Sequence, residues 1–216
     1  NLNYVEHVVS QTLKKLDRDQ PLSSELMTRE LGKTLTEEYV GDGILKSAYL
    51  KKVPVFIPAF TDSEVGLDVG TWAMAHEVDR ARSQAGGKGD LAVFKAIHQS
   101  YPSFNPYLDL NSYADHVLSA KRLGIFTIGG GVPRNWAQQV GPYLEICNHR
   151  LGLNVKPPRF HYGVRICPEP DYWGGLSGCT YQEGLSWGKF VTHKDGGRFS
   201  EVLSDATVVW PLLMMG

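Results

Sequence analysis

This chain has no excess of charge of either sign. Its 216 residues carry 22 Lys and Arg against 23 Asp and Glu, a net charge of −1. It therefore offers no electrostatic footprint for nucleic acid or an anionic membrane, and a small-molecule or protein substrate is expected. Cysteine is scarce: Cys147, Cys167 and Cys179 are odd in number and form no C-x-x-C pair. Neither a disulfide framework nor a zinc knuckle is indicated, and a reducing cytoplasm suits them. Long apolar runs are also missing. None approaches the roughly 20 residues that span a bilayer, and Asn1–Glu6 lacks a basic region followed by an apolar one, so a soluble, untargeted, cytoplasmic chain is expected. The seven histidines, at 7, 76, 98, 116, 149, 161 and 193, include no H-E-x-x-H pair and no cluster with the cysteines, so no metal is expected. No G-x-S-x-G elbow is present, which argues against an ordinary serine hydrolase.

What is present is 42% hydrophobic sequence, enough for a large core in one globular unit or one and a half small ones. Apolar residues at helical spacing predict helices over Tyr4–Leu16, Ser24–Leu35 and Gly43–Lys51, a bracing segment covering residues 1–52. Residues 53–216 read as an α/β domain. Val53–Ile57, rich in β-branched residues, suits a buried parallel strand, although Pro54 weakens that reading. Thr61-Asp62-Ser63 then turns into a helix with Val65, Val69, Trp72 and Ala73 on one face. Ala85–Gly89 and Ser100–Pro106 read as loops around a short helix, and Leu110, Ala114, Val117, Leu118 and Lys121 mark another helix. A second strand-turn-helix unit follows: Ile125–Ile128, the triple glycine Gly129–Gly131, and a helix with Pro133 in its first turn and Trp136, Val140, Tyr143, Leu144 and Cys147 on one face. A third strand is expected near Phe160–Ile166. Strand-turn-helix units in series imply a Rossmann-like parallel sheet with helices on both faces and right-handed crossovers.

In such a sheet, ligands settle at the carboxyl ends of the strands, where Thr61-Asp62, Gly129–Gly131 and Gly174–Ser177 should converge. Three glycines before a helix let a phosphate approach the backbone, but they do not form the G-x-G-x-x-G pattern, and a tight turn needing positive φ accounts for them equally. Asp62 and Asp205 each have two readings, ribose contact or helix cap. The run Trp173–Lys189 ends with a lysine beside tryptophan and glycine. An ammonium removed from water loses stability relative to the free amine, which can then form an imine with a carbonyl-like carbon. Glu183, six residues earlier, would shuttle protons. On spacing alone, a solvated lysine on a surface loop explains Lys189 as well.

Taken together, Ile57-Pro-Ala-Phe-Thr-Asp62, Ile128-Gly-Gly-Gly-Val132, Ser177-Gly178, Glu183-Gly-Leu-Ser-Trp-Gly-Lys189 and Ser204-Asp-Ala-Thr-Val-Val-Trp-Pro-Leu-Leu213 resemble the ordered motifs of the deoxyhypusine synthase family. The resemblance runs from about residue 4 to the carboxyl end. That family's chains are longer and begin with a further part of the nucleotide-binding sheet, so the amino-terminal portion is expected to be missing here. The resemblance implies an NAD-dependent transferase that oxidises spermidine, captures its 4-aminobutyl group as a lysine imine and passes it to an acceptor amine. The usual acceptor is a lysine of translation initiation factor 5A. It implies Lys189 as the nucleophile, Trp187 packing along the polyamine, Glu183 contacting its amines, and Asp62, Gly130, Gly131, Ser177, Ser204 and Asp205 meeting NAD in a homotetramer.

The departures from the eukaryotic pattern are Asn135 in place of a histidine, and Leu67 (with Asp68 adjacent) and Leu176 in place of polyamine-binding aspartates. The stretch from His149 to Trp173 is also longer. These features resemble the bacterial deoxyhypusine synthase-like proteins, in which putrescine is an acceptor and homospermidine the product. Two other readings stand beside this one: a simple NAD-dependent dehydrogenase in which Lys189 anchors substrate, and a non-catalytic NAD- or polyamine-binding fragment.

Overall fold

The computed structural model of the protein describes residues 2–17, 20–97 and 103–216. His98 and the first part of the expected Ser100–Pro106 loop lie outside them. The chain divides into two compact units, Asn1–Asp109 and Leu110–Gly216. The boundary expected near residue 52 falls inside the first unit.

The first unit contains helices α1 (Leu2–Lys14), α2 (Ser24–Glu38), α3 (Ile44–Leu50), α4 (Glu64–Ala75), α5 (Val78–Ala85) and α6 (Asp90–Ile97). The bracing helices follow the apolar spacing closely. Val8, Val9 and Leu13 of α1 pack with Met27 and Leu31 of α2, Val69 of α4, Leu22 and Phe60 into one core. Thr12, fully buried in that core, donates to the carbonyl of Val8 at 2.9 Å, and its oxygen lies within hydrogen-bond distance of the Thr34 hydroxyl at 3.0 Å, so its hydroxyl is satisfied. Ser63 caps α4 by accepting from the Gly66 amide at 3.1 Å. Asp62 forms the end of a 3-10 turn over Phe60–Asp62 and takes no part in that cap.

Among the described residues, the strand expected at Val53–Ile57 is not formed. Its polar backbone is met by hydroxyls of α2 instead. Thr28 Oγ1 donates to the Val55 carbonyl at 2.7 Å, and the Ile57 amide donates to Ser24 Oγ at 2.7 Å. A β-branched run becomes a strand only where a ladder is completed beside it, and β-branched composition alone does not provide one.

The second unit holds a three-stranded parallel sheet, β1 (Leu123–Ile128), β2 (Phe160–Ile166) and β3 (Arg198–Val202), in that spatial order, flanked by helices. Helix α7 (Pro106–Ser119) carries the unit boundary. The single helix expected after the triple glycine is two, α8 (Val132–Gln138) and α9 (Val140–Leu151). Pro142 has no amide hydrogen to donate to the Gln138 carbonyl, so the ladder restarts one residue after Gln138. Ala114 and Val117 of α7 pack on Val140 and Leu144 of α9. A second cluster joins Phe160, Tyr181 and Phe190 to Ile125 and Phe199. Tyr181 belongs to the short helix α10 (Tyr181–Ser186), and its ring lies so close to Gly163 of β2 that a Cβ there would sit 2.6 Å from it. The last helix, α11 (Ala206–Met215), is capped by Asp205, whose Oδ1 accepts from the Thr207 amide at 2.8 Å.

Asp109 is the buried anchor of the first unit. Its two carboxylate oxygens accept from the backbone amides of Ser24 and Glu25, at 3.0 and 2.9 Å, closing the first turn of α2. Asp109→Ala removes the acceptor from two amides at a helix amino terminus and is expected to lower stability by about 2 kcal/mol, measured as a shift in denaturant midpoint at unchanged slope.

Candidate functional site

Parallel strands put their carboxyl ends on one edge of the sheet, and three of the expected segments leave from that edge. Gly129 follows β1, and its amide continues the ladder to the Ile166 carbonyl at 2.7 Å. Cys167 follows β2 and pairs likewise with the Val202 carbonyl at 3.0 Å. Ser204 and Asp205 follow β3.

The segments from β1 and β2 meet. A Cβ on Gly130 would lie 2.8 Å from both Cα and Cβ of Ser177, so only glycine allows this approach. Gly129 and Gly131 have φ of +81° and +85°, and a Cβ on either would point into open space. The tight-turn reading of the triple glycine therefore holds at Gly129 and Gly131, and that turn leaves the backbone bare on one side.

The position of Ser177 is set by a residue that the motifs do not contain. Arg165, buried near the carboxyl end of β2, donates through Nη1 to the Ser177 carbonyl, and through Nη2 to Asp171 Oδ1 and Glu201 Oε2, both at 3.1 Å. Glu201 lies directly across the sheet in β3, and its other oxygen accepts from the Tyr181 amide at 3.3 Å, at the start of α10. Burial works against the guanidinium charge, but Glu201 and Asp171 outweigh it and hold the pKa of Arg165 above its ordinary value. The signal that points to Arg165 is a lone arginine within an otherwise apolar strand, which requires a buried partner.

Lys189 follows α10. Thr180 caps that helix, its Oγ1 accepting from the Glu183 amide at 3.1 Å, and the Lys189 amide donates to the Gly184 carbonyl at 3.0 Å. Its carbonyl accepts from the amide of Phe160, the first residue of β2, at 3.0 Å. The side chain is only 6% exposed, which rules out a solvated surface lysine. Nζ donates to Asn135 Oδ1 of α8 at 3.3 Å. Its pKa is lowered, chiefly by burial; Cys179 acts in the opposite direction, Arg134 adds to the lowering, and Glu183 opposes it. Cys179, which the motifs also left out, is shifted upward by burial and by its hydrogen bond to Glu183.

Of the expected site residues, Lys189 and Asn135 are hydrogen-bonded, Gly130 and Ser177 are in contact, and Glu183 acts electrostatically on Lys189. Ser204 and Asp205 leave the same sheet edge, and Asp205 serves as the α11 cap, which leaves its outer oxygen exposed. Trp187 is 63% exposed, and Leu176 also faces solvent. Asp62 lies, exposed, in the first unit, as does Leu67, while one carboxylate oxygen of Asp68 is buried without a hydrogen-bond partner among the described residues. Among the described residues, no group of three or more His, Cys, Asp and Glu is placed to hold a metal, and no helix is long and apolar enough to cross a membrane.

Two outcomes follow from this geometry. Arg165→Met strips the partly exposed Glu201 and Asp171 of their partner and should destabilise the protein by about 2 to 3 kcal/mol, with limited proteolysis appearing first in the 168–180 segment. For Lys189, the folded-state pKa lies below the unfolded value of 10.5. The unfolded chain therefore binds the extra proton, and the penalty is full below the folded pKa and vanishes as pH rises to the unfolded one. Lys189→Met should raise stability at neutral pH, and the gain should shrink steadily toward pH 10.5 in denaturant titrations.

The whole chain, residues 1–216, matches the family model for deoxyhypusine synthase. It is 30% identical over 188 residues to a probable deoxyhypusine synthase 2 of Methanosarcina acetivorans, covering 87% of this chain and 44% of that one. It is 29% identical over 213 residues to a deoxyhypusine synthase-like protein of Elusimicrobium minutum, covering 98% and 48%. The chain thus spans about half the length of the curated relatives it matches. Its fold is similar to that of a putative deoxyhypusine synthase from Entamoeba histolytica, with a TM-score of 0.54 at 14% identity over 99% of this chain and 52% of that one. A nucleophile-like buried lysine, a bare glycine turn and a match over every residue lead to one assignment: the chain belongs to the deoxyhypusine synthase family.

Proposed function

We propose that the protein is an NAD-dependent aminobutyl transferase: it moves the 4-aminobutyl group of spermidine through an imine on Lys189 to an acceptor amine, either putrescine, giving homospermidine, or a lysine of translation initiation factor 5A. The observation that carries this reading is Lys189 itself, buried, lowered in pKa and held by a neutral amide. An imine-forming lysine must spend time as the free amine, and burial supplies that bias. The Asn135 amide oxygen accepts a hydrogen bond from amine and ammonium alike, so it aims Nζ without the strong preference for charge that a carboxylate would impose.

The residues fit a dinucleotide. The bare backbone of Gly129 and Gly131, with Gly130 packed on Ser177, gives a phosphate-bearing ligand a close approach, and Ser204 and Asp205 offer polar groups on the same sheet edge. When bound, NAD supplies the acceptor for the hydride lost by the carbon next to the secondary nitrogen of spermidine, and the donor that returns it to the product.

The chain's own residues carry the transfer. Free Lys189 Nζ forms the bond to the oxidised carbon, the bond from that carbon to 1,3-diaminopropane breaks, and the departing nitrogen takes the proton that Lys189 gives up. The acceptor amine then adds to the same carbon and Lys189 leaves. Glu183, exposed beside Lys189, is suited to relay these protons and to hold a cationic amine. The exposed indole of Trp187 offers an apolar and cation-attracting face to the aminobutyl chain. The exposed Leu176 supplies no charge to an amine.

The test is borohydride reduction in the presence of NAD and labelled spermidine. Label should appear on Lys189 and nowhere in Lys189→Ala, and adding putrescine or factor 5A separately should move it to one of the two. A folded protein that binds NAD and spermidine yet leaves Lys189 unmodified overturns the reading, and net accumulation of NADH would mark a simple dehydrogenase.

A further inference from the structure

Arg134 is a buried cation with an incomplete set of partners. It lies on α8, beside Asn135, and is 5% exposed. Its Nε and Nη2 are buried and have no hydrogen-bond partner, and none of the ion pairs among the described residues includes it. What it does have is the ring of Tyr181, whose centroid lies 5.7 Å from its central carbon. A guanidinium cannot shed its proton in a protein, so a charge left unneutralised in this way acts on its neighbours. The closest consequence falls on Lys189, whose Nζ is hydrogen-bonded to the very next residue of α8.

Resting on the proposed imine role of Lys189, we infer that Arg134 is a positioning residue that acts through charge: an unneutralised guanidinium held beneath α8 by the Tyr181 ring, disfavouring an ammonium at Lys189 and so keeping that amine nucleophilic. The groups that face Lys189 are few. From α8 come Arg134 and the neutral Asn135; from the segment leading into α10 comes the Cys179 thiol; from α10 itself comes Glu183. Glu183 is the one carboxylate in that set and favours the ammonium. It is exposed, so water screens it, whereas Arg134 acts from the buried side. Burial and Arg134 push the same way, against Cys179 and Glu183. Tyr181 is part of the device, because Gly163 beneath it and Phe190 beside it, with ring centroids 5.0 Å apart, fix the ring on which Arg134 rests.

The experiment follows the reactivity of Lys189 with trace acetic anhydride as a function of pH, read by mass spectrometry on the folded protein without polyamine or NAD. In the parent, the midpoint for Lys189 should lie below that of exposed lysines. Arg134→Met should raise that midpoint by about one pH unit, a roughly tenfold loss of reactivity near neutrality, and Arg134→Lys, which keeps the charge, should restore most of it. As a second readout independent of access to the amine, the stability gained by Lys189→Met at neutral pH should be largely lost in an Arg134→Met background. An unchanged midpoint together with an unchanged Lys189→Met gain overturns the inference. If the midpoint moves but spermidine and NAD leave no trapped adduct, the transferase reading fails and the role of Arg134 stands.

Discussion

The candidate site depends on one buried charge being fully paired. Arg165 sits, buried, near the carboxyl end of the central strand, where an unpaired guanidinium would cost more than a small domain can spare. Its three partners turn that liability into positional information: Glu201 fixes the neighbouring strand in register, Asp171 fixes the loop after β2, and the Ser177 carbonyl fixes the point where that loop meets the triple glycine. Through Glu201 the same network reaches the first amide of α10, the helix that ends just before Lys189. Removing any one partner leaves the buried guanidinium incompletely paired, which favours this one position of the loop.

A second, contrasting arginine shows what pairing does. Arg165 has its carboxylates and serves the architecture; Arg134 has an aromatic face and unused donors beside the reactive lysine. The difference between the two lies in what surrounds them. Fully compensated charge builds structure, and uncompensated charge biases the chemistry of whatever is nearest. Lys189 takes its character from that surrounding: little water, one neutral acceptor on Nζ, and a cation on the adjoining residue of α8.

Much of the fold was legible where periodicity is strong. The apolar spacing of α1, α2 and α4 and the β-branched run of β2 located those elements within a few residues. The departures have distinct causes. Val53–Ile57 reads as a strand but forms none, and its backbone is met by the hydroxyls of Ser24 and Thr28. The α8–α9 break is a single missing amide at Pro142. Strand β3 escaped notice because Arg198, Ser200 and Glu201 interrupt its apolar residues, and only its register with β2 reveals it. In the site, the motifs named Lys189, Asn135, Gly130 and Ser177, and the structure joins them in pairs. Arg134 was not legible, because arginine in sequence defaults to the surface and only packing reveals a buried one, and Arg165 left only the trace of a lone arginine inside a strand.

The contact between Gly130 and Ser177 also bears on how this sequence can drift. Because a Cβ on Gly130 would meet both the Cα and the Cβ of Ser177, Gly130 cannot be substituted without displacing a loop that Arg165 already holds. Shortening Ser177 leaves its Cα in the way, so across descendants of this chain position 130 should stay glycine whatever stands at position 177.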